Sequence, residues 1–165
     1  MPADNPVTTL RTDKGQGIEN HQDEINAYAN LVNGELNRTA NAALGWANIA
    51  NGATPGKLKT TVAVDFAVGG EAFNLVASDD HWDLSAETDT VALKYRAYSL
   101  QLDDTGTAGF VSGSDLDSET LAYKSLAAPA AGRSRIGVYI AGPSTDFSLA
   151  LAAQGTILNG WPLAL

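Results

Sequence analysis

Residues 61–70, TVAVDFAVGG, decide the fold class of this chain. Large apolar side chains recur there at every second position, at Val62, Val64, Phe66 and Val68. A period of two is typical of a β-strand with one buried face, and the Gly69-Gly70 pair predicts the turn that ends the strand. The segment from Phe73 to Ala77 is expected to pair back on this strand. The sequence therefore predicts a β-hairpin near the start of a β domain.

Further strands are predicted on the C-terminal side of this hairpin. Apolar residues at every second position from Val91 to Ala97 indicate a strand. The strand continues with apolar residues at the even-numbered positions Tyr98, Leu100 and Leu102. We therefore expect either a bulge near Ala97-Tyr98 or a strand that is buried on both faces. The segment 103–107 is the predicted turn, because Asp caps its own backbone and Gly accepts a positive φ. Weaker signals predict a short strand at 109–111 and a helical turn at 118–125. Ile136, Val138 and Ile140 share one face and predict the last strand, at 135–141.

The N-terminal part of the chain has a different pattern. Residues 1–17 hold two Pro, two Gly and no periodicity, which predicts an extended arm. From residue 18 to 52, apolar residues are spaced by three and four, the pattern of one face of an amphipathic helix. They are Ile25, Ala29, Val32, Leu36, Ala40, Ala43, Ala47 and Ala50. Asn51-Gly52 and Pro55-Gly56 are expected to end this helix.

A stripe of Asn residues lies beside the apolar stripe of this predicted helix, with Asn33 near its middle. Asn is a mediocre helix former, so the stripe needs an explanation. One interpretation is a solvated polar face. The other is an oligomer seam, in which Asn side chains hydrogen-bond across a symmetry axis. In both cases the Ala-rich apolar face needs a partner, either within the chain or outside it.

The composition is that of one soluble domain with an appendage. The chain has 165 residues, a mass of 17.2 kDa, a formal net charge of -9 and 44% hydrophobic residues. Its ten basic residues are scattered, so neither nucleic acid nor an anionic membrane is an expected partner. The absence of Cys excludes disulfides and thiolate sites. Without a signal-peptide pattern or a long apolar run, the expected place of synthesis and residence is the cytoplasm.

No motif in the sequence predicts catalysis. There is no nucleophile elbow and no phosphate-binding loop, so we expect a protein that is not an enzyme and has no cofactor or metal. His81 lies among three Asp residues, which suits a mixed His/carboxylate metal site, but a polar loop around a buried Trp82 explains the same residues and is favoured. Ten of the 19 carboxylates fall in the loops 79–89 and 103–119. Calcium is one interpretation of that clustering, and a solvated acidic surface is the favoured one.

One part of the sequence carries a family resemblance. It begins with YRAYSLQLD at 95–103 and continues through a Gly-Thr turn and an acidic stretch that ends in AAP at 127–129. RIGVYI at 135–140 and GPSTDF at 142–147 follow. This pattern, about a third of the chain, resembles small structural proteins of tailed-bacteriophage particles, especially capsid decoration (cement) proteins and head-fibre proteins.

The resemblance implies a trimeric or otherwise symmetric protein, with a homotrimer preferred, that binds the lattice of the major capsid protein from outside and stabilises the shell. It also implies a location on the capsid surface of the virion, after synthesis in the host cytoplasm. Three alternatives stay open: a head fibre, a tail or baseplate component, and a receptor- or glycan-binding module. In the last of these, exposed aromatic rings would stack on sugars, and the candidates are Trp82, Tyr95, Tyr98 and Tyr123.

The expected fold is α+β and mainly β. It consists of an extended arm at 1–17, an amphipathic helix at 18–52 and a small antiparallel β-sandwich or barrel-like domain at 57–165. The apolar C-terminus either folds back on its own domain or packs into a neighbouring subunit. Burial between subunits explains the arm, the helix face and this terminus together. The residues expected at the partner interface are Val7, Leu10, Arg11, Ile25, Val32, Asn33, Leu36, Trp161, Leu163 and Leu165.

Overall fold

The computed structural model describes residues 41–159, and strands dominate that part of the chain. In chain order they are β1 (Ala42–Ala43), β2 (Ile49–Asn51), β3 (Lys57–Thr60), β4 (Val64–Val68), β5 (Glu71–Leu75), β6 (Trp82–Asp83), β7 (Arg96–Asp103), β8 (Ala108–Ser112), β9 (Arg133–Ala141) and β10 (Gly155–Asn159). A short helix, α1 (Glu119–Lys124), lies between β8 and β9, and a 3-10 turn (Leu151–Ala153) precedes β10. The expectation of a mainly β fold is confirmed.

The strands form two sheets. The larger sheet has the order β5-β4-β1-β9-β7-β8, and β10 pairs with the same edge of β9 as β1 does. The smaller sheet has the order β2-β3-β6. All pairs are antiparallel except β1 with β9, so the prediction of a purely antiparallel domain is wrong. A parallel pair needs a long crossover connection, and here most of the domain lies between the two strands.

Both sheets contribute to one apolar core. Leu58 and Trp82 of the small sheet are buried together with Phe66, Tyr98 and Leu100 of the large sheet. The Trp82 side chain is 1% exposed, and its indole N–H donates to the carbonyl oxygen of Gln101 at 3.1 Å. The two sheets are therefore joined by apolar contact and by a hydrogen bond between them. The interpretation of the loop before Trp82 as the flank of a buried Trp is confirmed.

The central strands of the large sheet are buried on both faces. Ala97 of β7 and Val138 of β9 face away from the main core and pack against Ala122 of α1. This confirms one of the two alternatives for the change of parity near residue 98. A register shift between β7 and β9 is also present, at Leu100/Gln101, a few residues after the predicted position.

The local predictions around the turns are largely confirmed. β4 and β5 form the predicted hairpin, and Gly69 and Gly70 have the positive φ values, 61° and 86°, that its turn requires. The Asp103 carboxylate accepts hydrogen bonds from the backbone N–H groups of Thr105 and Thr107. The predicted helical turn is α1, which Ser118 caps at its N-terminus.

Two predicted elements are wrong where the structure describes them. Residues 41–52 are not helical, because β1 pairs with β4 and β9 and β2 pairs with β3. Ala43 and Ala47 are buried, as their apolar spacing implied, but their small side chains fill the core from a strand and a loop. These strands extend the β domain to the N-terminal side of residue 57. The other error is at 91–95, where Leu93 has a φ of 64° in a turn and strand β7 begins only at Arg96.

The remaining predictions for the two ends of the chain lie outside the described residues. They are the arm at 1–17, the helix at 18–40, the Asn seam at Asn33 and the fold of the apolar C-terminus. The ten predicted interface residues also lie there: Val7, Leu10, Arg11, Ile25, Val32, Asn33, Leu36, Trp161, Leu163 and Leu165. These predictions stay predictions.

Candidate functional site

The outer face of β1, β4 and β5 is partly exposed, because Ala67 of β4 is buried there. Ala43 is paired with Phe66 and Phe66 with Phe73, and these side chains point into the core. Because side chains alternate along a strand, the next residues point outward. Leu44 donates its backbone N–H to the carbonyl oxygen of Asp65 at 2.7 Å, which fixes the register at this point.

A row of exposed side chains lies where these three strands meet the loops. Trp46 lies three residues after β1, Val62 lies two residues before β4 and Val76 lies directly after β5, and the strand pairing brings these three strand ends to the same end of the sheet. We call Trp46, Val62 and Val76 the Trp46 row. Trp46 is 62% exposed, Val62 is 43% exposed and Val76 is 70% exposed. Exposed apolar residues that cluster at one end of a sheet mark an interaction site more often than scattered ones do.

The loop that carries Trp46 is held in place on both sides. The residue after it, Ala47, is fully buried. Asn48 has a φ of 43°, and its side-chain amide donates to the hydroxyl oxygen of Thr61 at 2.5 Å. The backbone N–H of Thr61 in turn donates to the carbonyl oxygen of Asn48 at 3.2 Å. The indole is therefore presented from an anchored loop, which lowers the entropy lost when a partner covers it.

An open cleft of about 230 Å³ adjoins this row. Its lining, which we call the polar cleft, consists of Lys59, Thr60, Thr61, Ala77, Ser78 and Asp79. The ammonium of Lys59 and the carboxylate of Asp79 are 3.4 Å apart. Thr60 is 1% exposed, and its hydroxyl has no hydrogen-bond partner among the described residues. Buried hydroxyls are nearly always paired, so this oxygen is an exception that calls for an explanation.

His81 is the neighbouring titratable group. Its ring packs on Trp82 with the ring centroids 5.5 Å apart, and its Nε2 is buried without a partner in the described part of the chain. Burial lowers the pKa of His81, and a hydrogen bond with the backbone of Val76 opposes that effect. At neutral pH the imidazole is therefore uncharged.

The acidic loops use several of their carboxylates to cap their own turns. Asp83 accepts hydrogen bonds from the backbone and side chain of Ser85, and these bonds lower the pKa of Asp83. The pKa of Asp103 is lowered in the same way, chiefly by the hydroxyl of Thr105. Among residues 41–159, no group of three or more His, Asp and Glu side chains is arranged to hold a metal ion.

A partly buried ion pair fastens the second acidic loop to β7. Both guanidinium nitrogens of Arg96 that face Asp115 donate to its carboxylate, at 2.7 and 2.8 Å. Arg96 also donates to the hydroxyl oxygen of Tyr98 at 3.3 Å. Burial raises the pKa of Tyr98, so this phenol stays protonated in the folded protein at physiological pH. This cluster has a structural role, since it ties the loop before α1 to the sheet.

Trp46, which is exposed in the described part of the chain, was not among the residues predicted to contact a ligand. Trp82 and Tyr98, two of the four candidates for sugar stacking, are buried and cannot stack on a ligand. Trp46 lies within the segment that was predicted to be helical, where Gly45 and the neighbouring Asn residues were signals against a helix. No helix within residues 41–159 is long and apolar enough to cross a membrane. No family model, curated protein or solved structure matches this chain.

Proposed function

We propose that this chain is a structural protein of a tailed-phage particle, which binds the outside of the capsid as a decoration protein and stabilises the shell. In this proposal it is made in the host cytoplasm, acts as a homotrimer and contacts the lattice of the major capsid protein. The pattern between residues 95 and 147 supports the family, and the exposed Trp46 row supports the binding role.

The observation that carries the proposal is the exposure of Trp46 among other apolar side chains. Val62 and Val76 are exposed at the same end of the sheet as Trp46, so one partner surface can cover all three side chains. Trp is the residue type most enriched among the side chains that dominate binding energy. A row presented at the ends of three paired strands also needs little rearrangement before binding.

The mechanism is mass action. A protein that binds the assembled lattice and not its dissociated subunits stabilises the lattice in proportion to the logarithm of its concentration over its Kd. A trimer adds avidity, because each further contact forms at a high effective concentration once the first is made. Modest contacts, repeated over the shell, therefore give a large total effect.

Two other functions differ from this one in location and ligand. A head fibre or a tail or baseplate component uses the same type of domain at another place on the particle. A glycan-binding module is the second candidate, favoured by the presence of a polar cleft and by the exposure of Trp46.

The test is co-sedimentation of the labelled chain with emptied capsids of the phage that encodes it, and separately with purified tails. We expect saturable binding to capsids. Trp46→Ala should weaken it by about thirtyfold, which corresponds to about 2 kcal/mol for a central Trp. Leu121→Ala is the matched control, because Leu121 is 49% exposed on α1, away from the row. Binding to tails alone would refute the decoration role.

A further inference from the structure

The imidazole of His81 is fixed in a position that suits its neutral form alone. Its ring packs on Trp82, which is 1% exposed, and its backbone N–H donates to the carbonyl oxygen of Leu58 at 2.8 Å. The ring nitrogen Nε2 is enclosed and has no hydrogen-bond partner among residues 41–159. Protonation puts a second N–H and a positive charge at this nitrogen, where no described group accepts the bond.

The same ring holds a short exposed segment, residues 76–78. His81 makes a hydrogen bond with the backbone of Val76, and this bond belongs to Nδ1 because Nε2 has no partner. No other hydrogen bond joins residues 76–78 to the rest of the described chain. Residues 79–80 are fastened separately, through hydrogen bonds with residues 53–54. Release of the His81 ring therefore frees 76–78 and leaves 79–80 in place.

The charged groups that flank His81 lie on three elements. They are Lys57 and Lys59 of β3, Asp79 and Asp80 of the preceding loop, and Asp83 of β6. Lys57 pairs with Asp83 at 3.2 Å, and Lys59 pairs with Asp79 at 3.4 Å. Hydrogen bonds from Thr54 lower the pKa of Asp80, and those from Ser85 lower the pKa of Asp83. Strand β8, which contacts β6, carries no titratable side chain. His81 is therefore the side chain of this region whose charge changes between pH 5 and 7.

We propose that His81 is an acid-sensitive switch, which holds residues 76–78 against the domain at neutral pH and releases them when its imidazole is protonated. The protonated ring gains water as a partner by turning outward, and it then loses both the Val76 bond and the contact with Trp82. Val76 belongs to the Trp46 row, so release withdraws one of the three exposed side chains from the partner. The effect on binding rests on the proposed capsid role, whereas the switch itself does not.

The test is a pH titration of the ¹⁵N-labelled full chain from pH 7.5 to 5. The His81 ring shift is recorded together with the amide shifts and heteronuclear NOE values of residues 76–78. A free imidazole titrates at about pH 6.5, and each tenfold preference for the closed segment lowers the opening midpoint by about one pH unit. A preference of about tenfold, the value of one hydrogen bond, gives a midpoint near pH 5.5. The indole N–H of Trp82 should stay protected from exchange, because it remains bonded to Gln101.

Two variants and a matched control decide the assignment. His81→Gln keeps a side-chain donor and His81→Phe keeps a ring on Trp82, and in both the pH-dependent change at residues 76–78 should disappear. His21→Gln, at the other His of the chain, should open as the unchanged protein does. The same transition in His81→Gln would overturn the proposal. Titration of His81 without a change at residues 76–78, or no change in that segment down to pH 5, would overturn it as well.

Co-sedimentation with emptied capsids separates this proposal from the capsid role. With a midpoint near pH 5.5, about a quarter of the chains stay closed at pH 5, so binding should be about fourfold weaker than at pH 7.5. His81→Gln should bind equally at both pH values. Absence of binding at pH 7.5 would refute the capsid role, and the titration of residues 76–78 would still decide the switch.

Discussion

Substitution by Ala should strongly lower the free energy of unfolding at Trp82 and should barely change it at Trp46. Trp82 is 1% exposed and lies in the core shared by the two sheets, whereas Trp46 is 62% exposed. Trp82→Ala removes the largest buried side chain and leaves the Gln101 carbonyl without its indole donor. Trp46→Ala removes a side chain that buries little surface in the folded protein and therefore contributes little to its stability.

The expected magnitudes follow from burial. Replacing a fully buried Trp by Ala costs about 3–5 kcal/mol, a large part of the about 5–15 kcal/mol by which domains are stable. Trp46→Ala should change the free energy of unfolding by about 0.5 kcal/mol or less. Trp82→Phe keeps an aromatic ring but loses the N–H donor and some volume, so we expect about 1–3 kcal/mol.

Urea unfolding followed by far-ultraviolet circular dichroism measures all three variants. A loss of about 4 kcal/mol moves the midpoint by roughly 2 M urea for a domain of this size. The order of stability should be unchanged protein, Trp46→Ala, Trp82→Phe and Trp82→Ala. If Trp82→Ala and Trp46→Ala had the same small effect, the shared core of the two sheets would be refuted.

Three further predictions concern other parts of the fold. Gly155→Ala should destabilise the domain by more than about 2 kcal/mol in urea titrations, because the new Cβ would overlap the Ile140 carbonyl oxygen. Gly69→Ala is the control. It has open space around it and should cost about 1 kcal/mol through its positive φ alone. Arg96→Met leaves the carboxylate of Asp115 without its partner and should cost about 1–3 kcal/mol in the same titrations, less than a fully buried pair because both groups keep some contact with water. Because the pKa of His81 is lowered in the folded protein, the unfolded chain binds more protons than the folded one below about pH 6.5. Stability should therefore fall as the pH drops from about 7 to 5. His81→Gln should make the melting temperature depend less on pH over this range. Equal slopes for His81→Gln and the unchanged protein would contradict this assignment.

Local sequence signals predicted the elements whose partners are near in the chain. The hairpin of β4 and β5 needs only alternation and a Gly-Gly turn, both of which lie within 61–75. The cap of α1 at Ser118 and the Asp103 turn are equally local, because a short polar side chain bonds to backbone a few residues away. The burial of β7 on both faces was indicated by apolar residues at both odd- and even-numbered positions.

The elements that sequence reasoning missed depend on distant partners. Residues 41–52 have helical spacing, but β1 pairs with Ala67 and Phe66 and, in parallel, with Arg135. Those pairings overrode a weak helical preference, since Asn and Gly interrupt the Ala-rich pattern. The exposure of Trp46 follows from these distant pairings, so no local pattern pointed to it.

The most direct test of the central claim is the stability of the particle itself. Filled capsids that lack this chain are heated with increasing amounts of it, and release of DNA is followed with an intercalating dye. The proposal predicts a release temperature that rises with chain concentration and saturates, with Trp46→Ala requiring about thirtyfold more protein. A release temperature unchanged at saturating concentrations of the chain would contradict the proposed role.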